Sequence, residues 1–275
     1  MDECMYDKKD LSRMEHAQSR EKLNNQPDES RKLTFRAWVK EREHPVARFI
    51  YAAAKSFRRL HIPVMKPFHR TLFYAFVALQ SAWNSLWRIF WYTPLFQGRL
   101  LRPAPNLYVF GGMPLVLGTL DIEVGRDSRI SGQTTFSGRT ASLDRPRLSI
   151  GSNVEIGWQT TIAVGRRVHI GDNVLIAGKC FLAGYPGHPL DPVLRASGQP
   201  DSEDQVGDII LEDDVWLATG VTVLAGVRIG RGSIVTAGSV VFRDIPAGFI
   251  ATGNPAKAIM PIPMSTSANA HSKRQ

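Results

Sequence analysis

The sequence has two cysteines in 275 residues, Cys4 and Cys180, too far apart for any CxxC or metal-type spacing. That excludes a disulfide framework and suits a reducing compartment. The first thirty residues mix both charge signs around no apolar run, so no cleavable signal peptide is expected. Phosphate-cradling glycine motifs are absent from any strand-to-helix context, and no nucleotide hydrolysis is expected. Helical periods between strands, the mark of an α/β domain, are missing from the C-terminal half. What remains is a chain with 43 % hydrophobic residues, enough for one main domain with extensions.

Acidic residues are missing from one long stretch. His44 to Leu120 contains no Asp or Glu and nine Lys/Arg, whereas Met1 to Glu43 has ten of each sign and Asp121 onward fifteen of each. The whole formal charge of +9 therefore lies there. Within it, Val46, Phe49, Ile50, Ala53, Phe57 and Leu60 share one helical face, and Arg48, Lys55 and Arg59 lie opposite. Thr71 to Trp87 is uncharged, and Trp83, Trp87 and Trp91 recur every fourth residue. Aromatics flanked by arginine suit a membrane interface. A full span needs about 20 mainly apolar residues, and Gln80, Ser81, Asn84, Ser85 and Arg88 interrupt this run. The expectation is a helix pair lying in or dipping into an anionic membrane; the alternative is a helical cap packing its apolar face on the main domain. A nucleic-acid patch would not need so many clustered aromatics, and no nucleic-acid partner is expected.

From residue 106 the pattern changes. Val124, Ile130 and Phe136 lie six apart, as do Ile150, Ile156 and Ile162; Val164, Ile170, Ile176 and Leu182; and Leu211, Leu217, Val223, Ile229, Val235 and Val241. A six-residue period of this kind builds a parallel β-helix, three short strands to a coil, with one aliphatic residue of each unit pointing inward. The fold class expected is all-β, with a helical, basic, aromatic N-terminal segment. The organisation is a flexible or loosely helical charged arm at 1–44, the membrane-associating segment at 45–105, the β-helix at 106–260 and a tail at 261–275. Cys180 occupies a small-residue core position.

Three runs, "GHPLDPVLRASGQ", "DDVWLATGVTVLAGVRIGRGSIVTAGSVV" and "ATGNPAKAI", occur in that order on the repeat. Together they make residues 106–260 resemble the left-handed β-helix acyltransferases, particularly the maltose, galactoside and nodulation-type sugar O-acetyltransferases and their relatives in polysaccharide biosynthesis. The left-handed winding comes with that resemblance. So does the expected activity, transfer of an acetyl group from acetyl-CoA to a sugar hydroxyl of a glycan or lipid-linked precursor, by a homotrimer with its sites between subunits. No metal is implied. The location expected is the cytoplasm, peripheral to the inner face of the inner membrane.

The repeat opens at Gly184 to about residue 208. A β-helix wall is smooth, so a catalytic group needs such an excursion to project over a groove. His188 sits on it, and histidine titrates where a general base must. By resemblance, His188 deprotonates the acceptor hydroxyl and returns the proton to the leaving thiolate. Asp191, three residues on, either orients the imidazole or shapes the turn. On the donor side the resemblance places Trp216, Thr219, Ala237, Phe242 and Arg243 along the coenzyme groove, with Lys257 towards its phosphates; for the two cations the other reading is solvated surface charge. Trp158, Gln159 and His169 are candidate acceptor contacts. The chain departs from the family pattern at Gly157 and Gly165, where an Asn and an acidic residue are usual, and this argues against a simple free galactoside or maltose acceptor. Two rival readings remain. A zinc hydratase on the same fold needs three histidines, and the β-helix holds only His169 and His188. A non-catalytic, membrane-tethered trimeric scaffold would leave His188 without a role.

Overall fold

The computed structural model describes residues 35–61, 63–142 and 144–263; most of the expected arm, Cys4 and most of the expected tail lie outside them. Every member of the six-residue series from Val124 to Val241 is buried, because the strands stack in register. One column runs Ile130, Ile156, Ile176, Leu217, Val235, a second Phe136, Ile162, Leu182, Val223, Val241, and a third Val124, Ile150, Ile170, Leu211, Ile229. Parallel sheets of eight, six and five strands form the three walls of a prism. The last pair, Phe249–Gly253 with Ala256–Pro261, is antiparallel and closes the C-terminal end. Leu182 pairs directly with Val223, so the excursion between them loops out without disturbing the wall.

The corners show why the repeat favours Asn and Asp. Asn106, Asp127, Asn153, Asn173 and Asp214 all have left-handed backbone, φ 54° to 62°, which these residues tolerate better than most. Their side chains link coil to coil: Asn106 Nδ2 donates to Asp127 Oδ1 at 2.8 Å, Asn153 to Asn173 at 2.9 Å, and Asn173 to Asp214 at 3.0 Å. A strained turn is thereby stabilised once per coil.

The chain divides into two compact units, residues 1–70 and 71–275. In the first, helices α1 (Phe35–Glu41) and α2 (Pro45–Arg59) form, so the expected arm ends in a helix. Pro45 and the His44 side chain, which accepts from Val46 N, cap α2. Its expected apolar face is uncovered: Val46, Phe49 and Phe57 are exposed, and Leu60 follows the last helical residue. Helix α3 (Lys66–Trp87) contains the boundary and buries no residue. A π-turn over Arg88–Tyr92 leads into α4 (Thr93–Arg99).

The expected 45–105 segment is not uniform. Phe96 of α4 is fully buried and stacks on Phe136 at 6.0 Å. Phe96, Leu100 and Ala104 belong to the prism core, and the Gln97 amide exchanges two hydrogen bonds with Ala104. This part plugs the open end of the β-helix. Helix α3 behaves oppositely. Leu72, Phe76, Leu79, Trp83, Leu86 and, just beyond it, Phe90 recur at helical spacing and are all at least 50 % exposed. Its polar residues Gln80, Ser81, Asn84 and Ser85 instead face a cavity against the first strand, Tyr108–Phe110. The cap alternative required an apolar face packed inward, and within residues 71–275 that face points out. No helix among the described residues is long and apolar enough to cross a membrane.

Candidate active site

The excursion is held by four anchors. Gly187, with φ +82°, turns the chain where a side chain would be strained, and His188 follows, exposed. The Gly187 N–H donates to Asp201 Oδ2 at 2.9 Å. Arg139, at the end of the strand Thr135–Gly138, donates from Nε to Asp201 Oδ1 at 2.6 Å and from Nη2 to the Asp201 carbonyl at 2.8 Å. Its Nη1 pairs with Glu203. The Arg139 and Asp201 side chains are only 4 % and 3 % exposed. Burial works against the Arg139 charge, but the hydrogen bonds to Asp201 and Glu203 outweigh it and raise its pKa above the ordinary arginine value. Tyr185 Oη meets Ser137 Oγ at 2.9 Å, and Arg195 Nη1 donates to the carbonyls of Pro189 and Leu190, both at 3.0 Å. The insertion is thus tied to the wall on both sides of His188.

The cavity beside His188 measures about 400 Å³ and is walled by Ser137, Arg139, Tyr185, Arg195 and Gln199 among others. Asp191 does not join it. Its Oδ1 accepts from Val193 N at 2.7 Å and Leu194 N at 3.2 Å, capping helix α5 (Pro192–Ala196), and among the described residues no hydrogen bond links it to His188. The turn-forming role is the one the geometry shows, and the carboxylate that steadies the histidine loop is Asp201. Sequence reasoning missed Arg139, Asp201, Tyr185 and Ser137.

The donor-side candidates fall into two groups. Phe242, Arg243 and Lys257 line one cavity of about 540 Å³ with Asn254, Pro255 and Ala256, between the last coil and the closing hairpin. Phe242 is half-exposed, an apolar surface between two cations that no acid pairs among the described residues. Trp216, Thr219 and Ala237 lie outside that lining. Trp216 is exposed on the eight-stranded wall, in register with Leu175 and Ile234, and the Thr219 carbonyl accepts the Gly238 N–H at 3.0 Å, so Thr219 and Ala237 share a corner. The acceptor candidates are apart from His188 within one chain. Trp158 is exposed with Lys179 Nζ 5.0 Å from its ring, Gln159 takes a left-handed turn, and His169 faces out of the five-stranded wall between Ser149 and Ile210. Cys180 is buried as expected, and burial pushes its thiol pKa up.

No family model matches the chain. It is 36 % identical over 144 residues to the galactoside O-acetyltransferase of Escherichia coli K12, covering 50 % of this chain and 68 % of that protein. With the galactoside O-acetyltransferase of Lactococcus lactis it shares 39 % identity over 103 residues, 38 % of this chain and 44 % of that one. The chain thus spans 68 % and 44 % of the length of these two curated relatives. Among solved structures, an N-acyltransferase of Bacillus cereus in complex with coenzyme A and an amino-sugar nucleotide aligns at TM-score 0.49 and 20 % identity, over 62 % of this chain and 89 % of that one. A hexapeptide-repeat acetyltransferase of Vibrio cholerae aligns at 0.41 and 22 %, over 62 % and 78 %.

Proposed function

Because the chain belongs to the galactoside-type sugar O-acetyltransferases, a family of hexapeptide-repeat left-handed β-helix acetyltransferases, we propose that it transfers an acetyl group from acetyl-CoA to a sugar hydroxyl. The observation that carries this is His188, projected beside a cavity by a loop that a buried ion pair fixes to the wall. The imidazole removes the hydroxyl proton as the oxygen attacks the thioester carbonyl. Backbone N–H groups stabilise the oxyanion. When the carbon–sulfur bond breaks, the imidazolium protonates the departing thiolate, and the products are an O-acetyl sugar and CoA thiol.

The cavity at Phe242, Arg243 and Lys257 suits the coenzyme, an apolar surface beside two cations for a molecule that is part hydrocarbon and part phosphate. Three chains assemble so that the donor wall of one faces the His188 loop of another and Trp158, Gln159 and His169 approach the acceptor. The acceptor is a glycan precursor on a lipid carrier, and the enzyme works at the cytoplasmic face of the inner membrane. What supports this is the exposed apolar face of α3 within a stretch of nine bases and no acid.

The test is release of CoA thiol from acetyl-CoA with free galactosides, sugar nucleotides and a polyprenyl-linked disaccharide in detergent. Faster turnover on the lipid-linked sugar is expected. Thiol release at the rate of hydrolysis with every acceptor would sink the proposal.

A further inference from the structure

Beneath α3 lies a cavity of about 340 Å³ that none of the site residues assigned above lines. One side is the polar stripe Gln80, Ser81, Asn84, Ser85 and Arg88; the other is Tyr108, Phe110 and Gly111. The Arg88 guanidinium carbon sits 4.3 Å from the centre of the Tyr108 ring. Arg88 is half-buried, its Nε is out of reach of solvent and has no hydrogen-bond partner, and no described carboxylate pairs with it. The absence of any acid between His44 and Leu120 means that no nearby residue in sequence supplies a counter-charge. A half-buried cation with no carboxylate partner is costly to leave unmatched, and an anion entering the cavity supplies the counter-charge through the guanidinium's outer N–H groups. Two serine hydroxyls and two amides line the same space as further donors.

We infer that this cavity binds a phosphoryl group at the membrane surface, with Arg88 as its counter-charge. The inference rests on the reading of α3 as an interfacial helix. Such a helix sinks its apolar face roughly 5–10 Å below the surface and is itself about 10 Å across, so its polar side lies at head-group depth. The anions there are phosphodiesters and diphosphates, and a guanidinium, planar and packed against an aromatic ring, carries donors in the fork that phosphate oxygens match. The volume, near the lower bound of small-ligand sites, suits a head group or sugar phosphate with its acyl chains left outside.

Calorimetry on the full chain decides it, with dihexanoyl phosphatidylglycerol below its critical micelle concentration and inorganic pyrophosphate as probes. At least a tenfold loss of binding is expected in Arg88→Gln and a smaller loss in Asn84→Ala, which changes the lining without changing charge. Arg59→Gln, on α2, should bind as the unaltered chain does. Arg88-dependent binding of the lipid alone assigns a head group with its chain; equal dependence with pyrophosphate assigns the phosphoryl group itself, free or lipid-borne. Both support the inference. Binding of neither probe, or the same affinity in all three variants, overturns it. Should Arg88→Gln shift the thermal transition, Asn84→Ala carries the decision. Flotation with phosphatidylglycerol vesicles separates the two readings, because a chain that floats but binds neither probe keeps its surface attachment and loses the pocket.

Discussion

Asp201 accepts the backbone N–H of Gly187 at 2.9 Å, fourteen residues earlier, while its other oxygen receives Arg139 Nε. One carboxylate thus joins the coil wall to the residue before His188. Asp201→Asn keeps an acceptor for Gly187 but leaves Arg139 without its buried counter-charge. Turnover should fall by ~10²-fold, the scale of a misplaced catalytic group, with little change in KM for acetyl-CoA and faster amide exchange at Gly187. Removing one partner of a buried pair costs about 3–5 kcal/mol, whereas an apolar replacement of both can be neutral. Arg139→Met combined with Asp201→Leu should therefore recover stability without recovering turnover. Full activity in that double variant would reduce the pair to a structural role.

His188→Ala should leave assembly and CoA binding unchanged, because the side chain is exposed and makes no hydrogen bond among the described residues. Loss of a general base costs roughly 10² to 10⁴ in rate. Near-normal acetyl transfer in steady-state assays of this variant would remove the histidine from the mechanism.

Much of the fold was legible because its period is enforced. Each aliphatic residue of the series stacks on one from the next coil, so an error of one position would turn a core side chain outward, and the six-residue spacing could be read directly. The Arg139–Asp201 pair was not legible. Its partners lie 62 residues apart, Arg139 at the end of a strand and Asp201 in a loop, and only the stacking of coils brings them together. Asp191 drew attention by its closeness in sequence to His188, but an Asp before Pro starts a helix readily, and it caps α5. The inward polar face of α3 left a trace in the helical spacing of Gln80, Ser81, Asn84, Ser85 and Arg88. Amphipathicity shows that a helix has two faces and not which one its neighbour takes.

On the donor side the structure separates candidates that the motif grouped. Phe242 and Lys257 share a cavity, and Trp216 lies on the neighbouring wall. Phe242→Ala should weaken CoA binding through lost apolar contact, by ~10-fold for a half-exposed ring, and Lys257→Ala should do so in a salt-dependent manner. Calorimetry at low and high salt distinguishes them. Trp216→Ala should weaken CoA more than acceptor; equal affinities for CoA in all three would place the coenzyme elsewhere.

Acid should weaken the prism through two carboxylates. Hydrogen bonds from Arg147 and then Arg102 hold the Glu123 pKa below its ordinary value. The Arg231 backbone N–H, followed by the Arg228 side chain, does the same at Glu212. A folded-state pKa below the unfolded one stabilises the fold above the unfolded value and ceases to do so as pH falls through the folded one. Both groups are partly exposed, so each contributes no more than about 1 kcal/mol. Urea midpoints should fall between pH 6 and pH 3.5, and the fall should be smaller in Glu123→Gln with Glu212→Gln. An identical fall in that variant would assign acid sensitivity to other groups.

Trp87 packs edge-on against Trp83 at 5.8 Å and against Trp91 at 6.0 Å, a ladder on the outside of the helix. Indole rings at that position favour the head-group layer, and the surrounding bases add about 1 kcal/mol each near an anionic surface. The full chain should float with phosphatidylglycerol vesicles at low salt, and floating should diminish as salt rises, since the electrostatic part is screened. Trp83→Ser with Trp91→Ser removes the two more exposed rings of the ladder, 60 % and 53 % accessible, without touching the charge. Floating should then require lower salt than in the unaltered chain. If instead the unaltered chain stays with the soluble fraction and the double variant alters the mass of the assembly, the exposed face of α3 is a contact between copies, and the lipid-borne acceptor loses its support.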